Sequence, residues 1–404
     1  MKRKKIIITG VGGGIEEGLK FIKLNGFDLF IISERDLRID ANDEQLFISL
    51  DEIDKIKFYL KKHRKKDEFA GVIPFGFEKG VKLSAHISKM YRFPGLSIKQ
   101  AELFTNKYLM YTLLSSKQIP VPRTMKVDSF EDFKSKTKHF EYPFVIKPVD
   151  CAGARGVRKV RNEGELLESY SHARTVSNNI IIQEFLKGSE HSIEAIVSNN
   201  QIYITGFSDR IYLYKKYNPF FVEQGDVLPT NLSQEKYKNL CKLFVSAINI
   251  LKIKNGVVKG DLIYTCDGPK IIEMAGRLGS PNFWKLNNMA YGTNSIVAAI
   301  YVALGKVPRK KDVFISKSIG VTFKCIFFKN GFYKDIKYKS NISKMPGFVE
   351  FRWWKGSEPK QNTYLGDFKN LSDMVAFVIT KGNSRKESNI NCDNIIKKIK
   401  IRTI

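Results

Sequence analysis

Cysteine, histidine and long apolar runs are all scarce in this chain, and each shortage removes a class of protein. Five cysteines (151, 241, 266, 325, 392) are scattered with no C-x-x-C pair. That excludes a disulfide-stapled mini-protein and fits a reducing compartment, so the expected location is the cytoplasm. The five histidines (63, 86, 139, 172, 191) have no metal-ligand spacing. No apolar run approaches the roughly 18 residues that span a bilayer; the longest, Ile296–Leu304, is about half that. The basic start leads into only three isoleucines before glycines, Glu16 and Glu17 follow. A secretory signal needs roughly 7–15 apolar residues there, so this segment reads as a first strand. Also absent are a G-x-x-x-x-G-K-[ST] phosphate loop, an H-E-x-x-H zinc motif and a G-x-S-x-G nucleophile elbow.

What is present is the balance of a globular protein: 404 residues, 43% hydrophobic and 27% charged. At roughly 150 residues per domain this allows two to three domains. The net charge of +27 favours anionic partners. Residues 305–404 hold 22 basic and 8 acidic side chains, mostly lysine interleaved with aromatics. A lysine-rich solvated surface accounts for such a pattern, and so would an anionic-polymer site.

Apolar periodicity lays out the chain. Residues 5–9 are a β-branched run ending in glycines, 15–24 have helical spacing and 27–33 are a second strand. A helix is expected at 51–65 and a strand at 69–74. This alternation predicts a parallel sheet with helical crossovers over residues 1–100. A helix at 100–117 ends at Pro120 and Pro122, which mark a linker. Then come a strand at 144–148, a glycine loop at 150–157, a helix at 163–172, strands at 180–184 and 191–207, and a helix at 233–251. Strands at 256–264 and 270–275 are joined through Cys266-Asp267-Gly268-Pro269, an antiparallel hairpin with an Asp-Gly turn. Helices are expected at 286–304 and near 371–381, the latter among short aromatic-rich strands.

Four constellations carry chemistry. Gly10-x-Gly12-x-Gly14 with Glu34 is a partial dinucleotide fingerprint, off the G-x-G-x-x-G spacing. Otherwise it is a tight strand-to-helix turn. Lys147 ends a strand, and Gly153, Ala154, Gly156 and Val157 follow in a loop whose N–H groups can approach phosphates; Arg155 adds a planar anion donor. Glu184-Phe185-Leu186, with Gly188 and Glu190, places acids beside an apolar strand edge, suited to an adenine and its ribose. Asp261 and Glu273 fall at similar distances from the hairpin turn, hence roughly opposite each other. Paired like charges call for a bridging cation. Two hard oxygen ligands beside phosphates suit Mg²⁺, and Arg277 could then hold an anion.

In this order the pieces resemble the ATP-grasp superfamily, closest to its carboxylate–amine ligases. Asn106-Lys107 and Ile119-Pro120-Val121-Pro122 resemble that family's signatures. So do Val145-Ile146-Lys147-Pro148 with the loop through Val157, and the hinge at Glu184–Leu186. Phe221-Val222-Glu223 and Pro346–Glu350 resemble the amino-acid ligase branch. The resemblance implies a mixed α/β and α+β protein: a Rossmann-like N-terminal domain (1–100), a small ATP-grasp lobe with its linker helix (101–190), a large lobe (191–304) and a C-terminal β-rich subdomain (305–404). It implies ATP and Mg²⁺ as cofactors. Lys107 and Lys147 would lie on the phosphates under the 150–157 loop, with Asp261 and Glu273 on the metal. Arg277, Lys147 and Arg155 would act in catalysis, and Glu223, Arg210 and Arg277 would hold substrate. The partners would be a small carboxylic acid and an amine, with no membrane and no nucleic acid, and a homodimer is expected. Two departures stand out. Ala275 occupies the place of a frequent asparagine after the second metal acid, and Asp261 that of the commoner glutamate. The competing readings are a basic nucleic-acid or anionic-polymer binder on a ligase-like scaffold, and a dinucleotide oxidoreductase using Gly10–Gly14.

Overall fold

The computed structural model describes residues 3–11, 15–37, 40–212, 219–279, 282–328, 331–338, 340–366 and 368–404. The first strands are too apolar to face water on either side. Lys5–Val11, Asp28–Ser33 and Phe69–Phe75 pack Ile6, Ile8, Leu29 and Ile31 against one helical layer, and Ile7, Phe30 and Ile32 against the other. With Glu44–Phe47 they form a four-stranded parallel sheet, as near-continuous β-branched runs require. Gly10 has φ +78° and supplies the turn after the first strand; Gly12 and Gly14 lie outside the described residues.

A second sheet of four antiparallel strands orders Thr124–Val127, Ile180–Glu184, Phe144–Pro148 and Arg158–Val160. The third has eight strands and runs from the hairpin Gly256–Thr265/Gly268–Ala275 through Ser189–Ser198, Gln201–Tyr212 and Glu223–Leu228. It continues into Gly320–Ile326, Ala376–Gly382 and Phe348–Trp353, so the C-terminal strands extend the same sheet. A three-stranded sheet of Tyr364–Leu365, Gly331–Tyr338 and Ile399–Thr403 lies beyond. Rossmann-like α/β and antiparallel α+β parts thus coexist in the expected order. No helix among the described residues is long and apolar enough to cross a membrane.

Three expected elements differ. Residues near 371–381 are not a helix: Leu371–Asp373 is a single 3₁₀ turn and Ala376–Gly382 a strand. Its Ala-Phe-Val-Ile-Thr run is buried at every position, and β-branched residues fit a pleated layer better than a helix. The helix of this region is Arg385–Lys398, capped by Ser384. The long helix at 286–304 is two, Phe283–Tyr291 and Ser295–Ala303, because Gly292 takes φ +80° and Asn294 caps the second. The helix at 100–117 likewise divides where Asn106 ends Ile98–Thr105 and caps Lys107–Ser116.

Candidate active site

The two antiparallel sheets and the N-terminal sheet converge on a cleft of about 480 Å³. Strand periodicity brings the hairpin's residues there, since alternate side chains share a face, while Glu78 and Lys107 come from helix starts. On the hairpin, Asp261 pairs directly with Glu273 in register, as the distance from the turn predicted. Gly188, where the chain passes from one antiparallel sheet to the next, crosses so closely that an added Cβ would lie 2.2 Å from the Tyr264 carbonyl.

The cations arrive from three directions. Lys107, at the first turn of its helix, sits 3.0 Å from Glu273 Oε1 and also donates to the Cys151 carbonyl at the head of the loop. Burial works to lower its pKa, but the Glu273 carboxylate outweighs that and raises it. Lys147 is 5% exposed and donates to the Tyr111 hydroxyl at 2.9 Å. Burial brings its pKa down to about 7, with Lys107 adding repulsion against the pull of Glu273. Lys147 is therefore an amine that, among the described residues, has no carboxylate bonded to it and would gain its charge fully beside an anionic ligand. The Tyr111 hydroxyl is itself fixed on the Ile272 carbonyl.

Asp261 is held far more firmly. Its Oδ1 accepts from Ser192 Oγ at 2.6 Å and from Arg210 Nη1 at 2.7 Å, and its Oδ2 accepts from Lys259. Burial alone would raise its pKa; Arg210 and Lys259 hold it well below the usual carboxylate range. Arg210 also grips Glu223, so the two expected substrate residues form a buried ion pair. Arg277 bonds Glu78 at 2.8 Å through Nε. Glu78 opens the helix Glu78–Tyr91, so the N-terminal sheet supplies one wall of the cleft.

The loop after Lys147 has φ near +60° to +70° at Gly153, Ala154 and Gly156. At Gly156 a Cβ would stand 2.7 Å from Pro148. Gly156→Val is accordingly expected to raise the KM for the phosphate donor at least about tenfold with the sheets intact by circular dichroism, through strain of roughly 1–3 kcal/mol in the loop; an unchanged KM would detach the loop from that substrate. Arg155 is exposed and bonds only the Ala152 carbonyl among the contacts described. Glu184 lines the cleft, but its carboxylate accepts from Lys270 at 3.0 Å and from the Arg123 N–H. Phe185, Leu186 and Glu190 line the same wall.

Four contributions escaped the sequence reading: Glu78, Lys259, Ser192 and the turn at Leu371, whose N–H donates to the Gly153 carbonyl at 3.1 Å. Lys259 alone had a local signal, lying two residues before Asp261 on a strand and hence on its face. The competing readings lose their footing. Glu34 spends its carboxylate on Ser49, the Leu50 N–H and Lys79 rather than facing a ribose. Trp353 packs edge-on against Tyr333 and Phe351, and Trp354 joins an apolar core, so these two tryptophans serve packing rather than a stacking surface.

Residues 104–281 match the family model of the ATP-grasp domain. That segment is similar to an ATP-grasp domain. The carbamoyl phosphate synthase large chain of Clostridium acetobutylicum is 24% identical over 296 residues, covering 68% of this chain but 27% of the synthase. The chain thus spans only a minor part of that relative's length. Phosphoribosylamine–glycine ligase of Caldanaerobacter subterraneus subsp. tengcongensis is 24% identical over 298 residues, 69% of this chain and 70% of the ligase. Among solved structures, an L-amino acid ligase from Bacillus licheniformis superposes with a TM-score of 0.83 at 17% identity, covering 100% of both chains. The N5-carboxyaminoimidazole ribonucleotide synthetase of Thermotoga maritima gives 0.71 at 16%, over 99% of this chain and 100% of that one. These likenesses show a fold shared with those structures over the whole length.

Proposed function

We propose that this chain is an ATP-dependent carboxylate–amine ligase that forms an amide or peptide bond through an acyl phosphate, releasing ADP and phosphate. The observation that carries the reading is one cleft in which the unpaired Lys147 ammonium, the loop at 153–157 and the opposed Asp261–Glu273 pair face each other. An ATP-grasp domain supplies the donor, and relatives named as ligases support C–N bond formation.

Phosphoryl transfer asks the protein mainly to position charge. Lys107 and Lys147 bind the phosphates, and the N–H groups from Gly153 to Val157 close over them with Arg155 beside. Phe185 and Leu186 face the base, and Glu190 the ribose. The donor set fits a divalent cation: two carboxylates paired across neighbouring strands, with phosphate oxygens to complete the shell, as Mg²⁺ prefers. Held there by Asp261 and Glu273, Mg²⁺ would neutralise phosphate oxygens. The acid's carboxylate attacks the γ-phosphoryl group. The amine then attacks the acyl carbon, phosphate departs with the bonding electrons, and the amine gives up a proton. Arg277 holds the acyl phosphate and the developing oxyanion; Glu223 and Arg210 orient the substrate's charged ends. The five free cysteines accord with the cytoplasm.

Glu78 positions Arg277 in this scheme. Glu78→Ala is expected to lower kcat/KM for the acid about 10–100-fold with ATP binding retained; wild-type kinetics would remove that role. The deciding experiment measures ADP release with Mg²⁺-ATP over pools of carboxylic acids crossed with pools of amines. Pair-dependent release supports the ligase. No release together with no ATP binding by calorimetry overturns it, and steeply salt-dependent binding to nucleic acid would move the function to a polymer.

A further inference from the structure

We propose that the Lys259 ammonium stands in the place of a second divalent cation, so that the chain takes up one metal ion with its nucleotide and not two. The inference rests on the ATP-dependent reading above. Lys259 and Asp261 lie two apart on the strand Gly256–Thr265 and share a face. Lys259 is 9% exposed, lines the cleft and donates to Asp261 Oδ2. It is thus a covalently tethered cation on the first of the two metal carboxylates.

A carboxylate has about four lone-pair positions. At Asp261 three are spent, on Ser192, Arg210 and Lys259. What is left is one position there together with the carboxylate of Glu273, directly opposite. That suffices for one ion completed by phosphate oxygens and water, since Mg²⁺ needs only one or two protein carboxylates. A second ion would find no further carboxylate beside Asp261 and Glu273 on this face of the hairpin. Ala275, next on the face of Glu273, offers only a methyl group. Among the described residues no group of three or more histidines, cysteines or acids could hold a metal.

Charge leads to the same place. Lys107, Lys259 and Arg210 already balance Asp261, Glu273 and Glu223, three charges against three. Two divalent ions would add four positive charges beside three fixed ones in a buried site, where like charges repel strongly. To seat the second, Lys259 would have to leave Asp261. A tethered ammonium does part of a metal's work on the phosphates, lying as it does beside Asp261, and is never lost by dissociation.

The test counts metal. Mn²⁺ is titrated into the full chain with a saturating non-hydrolysable ATP analogue, followed by electron paramagnetic resonance, with calorimetry confirming that the nucleotide is bound. Wild type is expected to bind one Mn²⁺ per nucleotide, with no spin-coupled pair. Lys259→Gln frees an Asp261 oxygen and is expected to bind two, with a coupled signal; Lys259→Arg keeps the cation and stays at one. Two coupled ions in wild type overturn the proposal, as does a single ion in a folded, nucleotide-bound Lys259→Gln. If that variant does not fold, the wild-type count decides. Absence of nucleotide heat in wild type is a different failure, which removes the ATP reading and this inference with it.

Discussion

Glu273→Gln is expected to abolish substrate-dependent ADP release, by about 10³-fold or more, while the protein still folds and melts as one species with wild type. The size follows from what the carboxylate does. In the proposed site it is the acid with oxygen positions to spare for a metal, since Asp261 is tied up by Ser192, Arg210 and Lys259. Losing a metal that neutralises phosphate oxygens removes several kcal/mol of transition-state stabilisation, and each 1.36 kcal/mol is tenfold in rate. Glutamine is the informative replacement. Glu273 is also the partner of Lys107, whose side chain is 12% exposed. Truncation to alanine would leave that buried cation unpaired and mix a stability loss into the kinetics. The amide keeps the shape and one oxygen for Lys107 while removing the charge. The expected signature is therefore a fall in kcat with little change in melting temperature, and weaker Mn²⁺ uptake in the nucleotide complex. Normal turnover by Glu273→Gln would place the metal elsewhere.

The site's skeleton is legible in the sequence because it is local. Register follows from counting back from an Asp-Gly turn, so the opposition of Asp261 and Glu273 needs no tertiary information. Lys147 at a strand end and the small residues at 153–157 are likewise adjacent in the chain. What is not legible arrives over distance. Glu78 meets Arg277 from 199 residues away, and Leu371 reaches Gly153 from the C-terminal region; nothing in either neighbourhood announces the partner. The error near 371–381 has another origin. A short run buried on both faces has no polar face to set its period, so helix and strand read alike until the neighbouring strand Gly320–Ile326 decides. Asn106 and Asn294 were readable as caps, and weighting them would have divided the two long helices correctly.

Nucleotide affinity is expected to fall as pH rises above about 7, approaching tenfold per pH unit, because Lys147 must take up a proton to meet the phosphates. In the nucleotide-free protein burial holds its pKa at about 7. A polyanion beside the ammonium raises that value, so above pH 7 binding carries a proton onto Lys147. The phosphate's own last proton leaves near pH 6, so the window from about pH 7.5 to 9 isolates the lysine. Calorimetry in buffers of different ionisation enthalpy is expected to show uptake of nearly one proton per nucleotide at pH 8.5. Lys147→Met is expected to show none from this source and an affinity lower by about 10²-fold at pH 7, corresponding to a charge-assisted contact of roughly 2–3 kcal/mol. The sign for folding is opposite. Between about pH 7 and the ordinary lysine value of 10.5, the unfolded lysine binds a proton that the folded one does not. Stability of the nucleotide-free chain from this group therefore increases with pH across that window, by up to 1.36 kcal/mol per unit. A protein whose free form is steadier at pH 9 while its nucleotide binds more weakly there carries the mark of a buried, unpaired lysine. If affinity is flat across the window and no proton is taken up, Lys147 is already charged and paired before the nucleotide arrives.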